Sequence, residues 1–483
     1  MKRAAPDWDA LQGVISGDVI LPGSPDYDSA RKPAIARFHD VLPQAVVLCR
    51  TPEDVSETIS FASRSGLETT TRSGGHCFAG RSSTEGVVID VSPMHSVSVS
   101  GGVATVGAGA RLGDVYDSLD KHGLTILAGS GPTVGISGLT LGGGLGILGR
   151  KHGLTSDHLL GAQIVLADGR IVECDEHHHE DLFWALRGAG GGNFGVVTSL
   201  VFKTLPAPAA TGFHLLWPHA HAVAVIDAWK RWAPAAPDEL AASLLVTASG
   251  DVEKPPMVNV FGAMLGTESD TTELLEELVA RVGMDPTSAS RKRMSHRETK
   301  RYLAELGDAM AGDEIEGTSH GQSPQQGHLF SKSEFFRRPL PTEAIEALVE
   351  NLRERRVSGQ SRELDFTPWG GAYNRVPADA TAFVHRAELF LLKHAVEVDP
   401  DASTTERQSA RRWLARSWGL VHPWGSGGVY QNFPDPDLTD WAHAYYGTNY
   451  DRLVRVKAKY DPGGFFRFRQ SLPSQALGSG APA

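Results

Sequence analysis

The stretch best equipped for chemistry runs from Thr71 to Gly80 and reads TRSGGHCFAG. Gly74 and Gly75 can adopt positive φ and present bare N–H groups, so an anion such as a phosphate can approach the backbone closely. Arg72, just before them, offers a guanidinium fork suited to the same anion. His76 then stands where a bound ligand would lie. Taken alone, the window also reads as a tight turn with a surface histidine, because glycine-rich loops are common. Two more glycine-dense segments follow: Gly129 to Gly146, GSGPTVGISGLTLGGGLG, and Arg187 to Thr198, RGAGGGNFGVVT, the end of the longer run DLFWALRGAGGGNFGVVT. Titratable groups for proton transfer occur later, at Tyr430 and on the apolar run after His385-Arg386, where Lys393 and His394 are adjacent. Residues two apart share a strand face, so Phe390, Leu392, His394 and Val396 would line one side. A histidine among apolar neighbours is suited to accept a proton near neutral pH. A hydrogen-bonded interior histidine is the other reading.

These segments, with YYGTNYDRL from Tyr445 and KYDPGGFFRFRQSLP from Lys459, occur in an order that resembles a known family. From about Val46 to Pro473 the chain resembles the flavin-linked oxidases of the vanillyl-alcohol oxidase superfamily, in the berberine-bridge-enzyme-like branch. The motifs are long and ordered, unlike a lone GxGxxG. The resemblance implies an α+β fold of two lobes. A PCMH-type FAD-binding lobe would span residues 40–208, and an antiparallel-sheet substrate lobe backed by helices would span 209–420. A segment at 421–473 would return to the FAD lobe.

The resemblance further implies FAD bonded covalently through His76; a histidine that only hydrogen-bonds the cofactor is the alternative. Many relatives carry a cysteine at the position of Gly131 that forms a second bond, so the linkage here would be through His76 alone. Residues resembling the flavin cradle are Arg72, Ser73, Gly74, Gly75, Cys77, Ser82, Gly129, Pro132, Thr133, Gly135, Ser137, Gly138, Gly142 and Gly146. Val197 resembles the residue that meets the adenine side, and Tyr446 and Asn449 resemble residues reaching in from the C-terminal segment. Val134 resembles an oxygen gate, with an ordinary core valine as the other reading. Relatives often use the tyrosine after the asparagine of a YxNY run as base, but here Phe433 follows Asn432 and cannot accept a proton. That leaves His394, Tyr430 and Lys393 as candidate bases. The implied activity is an oxidase taking hydride from an alcohol or amine carbon of an organic metabolite, first of all in natural-product tailoring. Oxygen would be the final acceptor and hydrogen peroxide the product. The alternatives are an oligosaccharide or cyclic-amine oxidase, an FAD dehydrogenase with another acceptor, and, least favoured, a flavin-binding protein without turnover.

The elements that must position these residues are partly legible. Ala45 to Cys49 reads as a strand, and Thr51, Pro52 and Asp54 form a helix start that Gly66 stops. A strand then leads into Arg72, and Gly86 to Ser92 reads as another. Gly101-Gly102 and Asp168-Gly169 mark hairpins. Leu112 to Leu119 and Thr271 to Val282 carry helical periodicity. Val258 to Met264, Leu364 to Trp369 and Leu389 to Val398 read as strands. The first 43 or so residues are expected to wrap the outside of the first lobe, Asp308 to His328 to form a loop or lid, and the residues from Ser474 to lack order.

Composition excludes other classes. The 483 residues carry a net charge of −11, which disfavours nucleic acid. The basic run from Arg291 to Arg301 reads as a solvated helix face. Three cysteines argue against a disulfide framework, the start lacks a secretory apolar core, and no stretch is long and apolar enough for a membrane span. A cytoplasmic location is expected. His177, His178 and His179 are consecutive and cannot converge on one ion, so no metal is expected.

Overall fold

Thr51 opens the first long helix with a reciprocal cap: its hydroxyl accepts from Asp54 N and the Asp54 carboxylate accepts from Thr51 N, with Pro52 in the first turn. In the computed structural model of the protein, which describes residues 5–311 and 327–475, this helix is Pro52–Ser65 and ends at Gly66. It connects Ala45–Leu48 to Thr69–Arg72, and Val87–Asp90 lies between those strands, parallel to both. The segment before Pro43 does more than wrap the lobe. Asp18–Ile20 adds an antiparallel edge strand, and Ser16 donates to Asp54 at 2.7 Å.

Both expected hairpins form. Val97–Ser100 pairs with Val103–Gly107, and Leu159–Val165 pairs with Ile171–Asp175. Val196–Lys203 joins them into a five-stranded antiparallel sheet. A core running from Leu11 to Phe202 takes in Val429 and residues between Ala444 and Leu472 as well.

The second lobe is a seven-stranded antiparallel sheet. Its order is Ser288–Met294, Ala210–Pro218, Met257–Met264, Leu240–Ala248, Gln360–Pro368, Phe390–Val398 and His328–Phe336. Helices Ala222–Ala235, Glu268–Val282, Thr342–Arg353 and Thr404–Gly419 supply apolar residues to the core on one face. The other face alternates with it and carries polar side chains such as Ser243, Thr247, Glu363, Asp365 and Lys393. The mixed architecture matches the two-lobed α+β expectation.

Two readings need correction. Arg291 to Arg301 is not one helix face: Arg291, Lys292 and Arg293 lie on the exposed edge strand, and the helix His296–Ala311 begins after Ser295. That helix turns His296 and Lys300 inward, where both are buried. The expected loop from Asp308 is helical through Ala311, and His328 already begins a strand. Residues 312–326, which held most of that reading, and residues 476–483 lie outside the described residues. No described helix is long and apolar enough to cross a membrane.

Candidate active site

The strand Thr69–Arg72 delivers the chain into a cavity of about 660 Å³. Gly74 packs so tightly on the second glycine segment that a Cβ there would stand 2.2 Å from Gly135 N. Gly75 holds φ at +74°, which an L side chain adopts only with strain. The Ser73 and Ser137 hydroxyls both donate to the Ala108 carbonyl, at 2.8 and 2.6 Å, and tie the two segments together. His76 lies on the wall, and its Nε2 is buried without a hydrogen-bond partner among the described residues. Burial holds the ring below the ordinary imidazole range, only partly opposed by the Thr133 backbone, so it is neutral near pH 7.

Of the expected cradle, Arg72, Ser73, Gly74, Gly75, His76, Cys77, Ser82, Val134, Gly135, Ser137, Gly138 and Val197 line this cavity. The Arg72 side chain, however, is not available to an anion. Its Nε donates to Asp90 at 2.8 Å, and its other nitrogens bind the carbonyls of Ala30 and Arg31.

Gly129, Pro132, Thr133, Gly142, Gly146, Tyr446 and Asn449 do not line the cavity, and each has another task. The Gly129 carbonyl accepts from Tyr116 Oη at 2.6 Å, and the Pro132 carbonyl accepts from Gly113 N at 2.9 Å. Thr133 meets His76 and Gly74 through its backbone. A Cβ at Gly142 would stand 2.1 Å from Asn432 Oδ1, and one at Gly146 2.2 Å from the Ala128 carbonyl oxygen. Tyr446 Oη donates to Ala189 O at 2.9 Å, and Asn449 Nδ2 donates to Ala378 O at 2.7 Å. These residues brace the walls from behind.

The candidate bases separate sharply. Tyr430 lines the cavity, and its phenolic oxygen accepts from Gly144 N at 3.0 Å and from Asn432 Nδ2 at 2.9 Å. It sits in an aromatic cluster with Phe335, Trp369, Tyr373 and Phe383, and burial there outweighs both donors and pushes the phenol up to about 12. His394 is a correction. It faces the helix-backed core, where Nδ1 meets Ser417 Oγ at 2.9 Å, and burial pushes it down to about 3. It does not reach the cavity. Lys393 points to the other face, 5.5 Å from the Phe433 ring. Burial opposes its charge, but Glu363 and Asp365 at 2.9 and 3.3 Å outweigh that and hold the ammonium above the ordinary lysine value. A lysine so held keeps its proton and is no base.

Several lining residues escaped the sequence reading: Gly190 to Gly192, Asn432, and Arg467 to Gln470. Their motifs are visible in the sequence, but nothing local says that the C-terminal segment returns to this wall. Glu363 and Asp365 had no signal beyond strand alternation. The consecutive histidines diverge: His178 pairs with Asp175 at 3.0 Å, while the His179 ring meets Tyr460 Oη at 3.1 Å.

The chain is similar to known proteins along most of its length. A family described as an FAD binding domain matches residues 43–175, and one described as berberine and berberine like matches residues 429–473. The uncharacterized FAD-linked oxidoreductase YvdP of Bacillus subtilis is 34% identical over 474 residues, covering 95% of this chain and 98% of that protein. Chitooligosaccharide oxidase of Gibberella zeae is 31% identical over 458 residues, covering 90% and 88%. The solved structure of wild-type BBE-like 1 from Physcomitrella patens has a TM-score of 0.83 at 26% identity, covering 97% of this chain and 99% of that one.

Proposed function

The chain belongs to the berberine-bridge-enzyme-like FAD-linked oxidoreductases, and from that premise we propose that it is an oxidase with FAD tethered through His76. The net reaction converts an alcohol or amine carbon of an organic metabolite to the carbonyl or imine, and oxygen leaves as hydrogen peroxide. The residues present suit the cofactor. Two glycine segments leave the cavity wall bare, and the neutral His76 carries an unsatisfied buried nitrogen. When bound, FAD supplies the two-electron acceptor for a hydride. His76 would hold the cofactor, and Val134, which lines the same cavity, would be the residue governing oxygen access to it.

Tyr430 carries the reading. Its oxygen receives two N–H donors, which stabilise negative charge there as an oxyanion site does, and it takes the proton from the substrate hydroxyl or amine. Burial keeps most of the phenol protonated at neutral pH, so the reactive fraction grows as pH rises toward about 12. The rate of substrate oxidation is therefore expected to climb through the alkaline range. Anaerobic mixing of substrate with Tyr430→Phe should bleach the flavin roughly 10²–10⁴-fold more slowly than wild type. A wild-type rate would remove Tyr430 from the mechanism.

Natural-product tailoring is the first choice of role, because Phe433 replaces the usual base and leaves an aromatic wall with Phe78 at 5.7 Å between ring centroids. A saccharide substrate is the second reading, supported by the chitooligosaccharide oxidase relative and by the polar open face of the seven-stranded sheet. Peroxide release measured against a panel of sugars and a panel of aromatic alcohols and amines separates the two.

A further inference from the structure

The acidic chain gathers unpaired positive charge on one part of the cavity wall. Its net charge is −11, yet among the described residues Glu68 is the only carboxylate lining the cavity, while Arg72, Arg81, Arg467 and Arg469 all line it. Arg72 is neutralised by Asp90. No carboxylate among the described residues pairs with the other three. Arg81 is half-buried and fixed in place. Its guanidinium stacks 4.4 Å from the Phe468 ring centroid, and its NH2 group donates to Gln470 Oε1 at 3.0 Å. Arg467 and Arg469 alternate with the inward-facing Phe466, Phe468 and Gln470 and stand exposed on the rim. Phe468 in turn faces the glycine turn: a Cβ at Gly192 would lie 3.6 Å from its ring.

The glycine segments supply N–H groups but no net charge. A dianionic diphosphate entering an acidic protein is held more tightly with positive partners, and guanidinium forks match phosphate oxygens in geometry. We propose that Arg81, Arg467 and Arg469 form a clamp that holds the diphosphate of FAD, so that the C-terminal segment closes the site by charge. The proposal rests on the flavoprotein reading above.

The test uses the full chain in a His76→Ala background, which leaves the flavin exchangeable. FAD and riboflavin, which lacks the diphosphate, are each titrated by flavin fluorescence at low and high salt. Arg467→Gln/Arg469→Gln is expected to weaken FAD binding by roughly tenfold or more and to flatten its salt dependence. Riboflavin affinity should not change, and Arg467→Lys/Arg469→Lys should recover most of the loss. Arg81→Gln should act in the same direction. Unchanged FAD affinity and salt dependence, or a parallel loss of FAD and riboflavin, would overturn the clamp. Wild-type protein that takes up no flavin is a separate result, and it would sink the flavoprotein reading itself.

Discussion

At the scale of single residues, the site depends on side chains and gaps placed to a few tenths of an ångström. His76 is the proposed tether. Acid-precipitated wild-type protein should keep its yellow colour, and His76→Ala should release it to the supernatant. A colourless wild-type pellet from flavin-loaded protein would refute the covalent link. Gly142 matters through its emptiness. Asn432 occupies the space that a Cβ would fill, at 2.1 Å, and the same amide donates to Tyr430 Oη and to Leu139 O. Gly142→Ala should displace that amide and remove a donor that lowers the phenol pKa. The expected result is slower substrate oxidation with the pH–rate profile shifted to higher pH, while flavin content is unchanged. Equal profiles for Gly142→Ala and wild type would mean that Asn432 does not tune Tyr430.

At the scale of elements, the helix His296–Ala311 shows how one lobe grips the other. Lys300 donates its ammonium to the carbonyls of Ala128 and Gly129, at the start of the segment that runs on to Val134. It also sits 4.9 Å from the Tyr116 ring centroid, and His296 Nε2 meets Thr125 Oγ1 at 2.9 Å. Among the described residues no carboxylate pairs with this buried cation, and burial pushes Lys300 down to about 7. The sign follows from linkage. Between about 7 and the ordinary value of 10.5, the unfolded chain binds a proton that the folded chain does not, so stability rises with pH across that window. Denaturant unfolding of wild type and Lys300→Met, compared across it, should show this extra slope only in wild type. Parallel pH curves would place the Lys300 titration elsewhere.

At the scale of the whole molecule, the cavity is built from segments far apart in sequence, around His76, Val134, Gly190 and Tyr430 and at 466–470. A ligand that binds such a site only in the folded state stabilises the whole by mass action, by about 2.7 kcal/mol at a hundred times its dissociation constant. His76→Ala stripped of flavin should therefore melt below wild type and recover as FAD is added, whereas linked wild type should ignore added FAD. A stripped variant with the wild-type Tm would mean that the flavin does not brace the fold.

The amino-acid sequence by itself determined the glycine segments, the capped helix at Thr51 and both hairpins. Close backbone approach and sharp turns admit few residue types and so leave local signatures. It also determined that Lys393 and His394 lie on opposite faces of one strand, because the side-chain period is two. Which face would meet the cavity was decided only by tertiary structure. The helix Thr404–Gly419 covers the His394 side and leaves Lys393 to the open face. The same holds for Arg72, which turns to Asp90 and the Ala30 and Arg31 carbonyls, and for Lys300, which a charge count assigns to solvent and packing assigns to the seam between lobes. Each outcome depends on a partner distant in the chain, and local pattern carries no information about that partner.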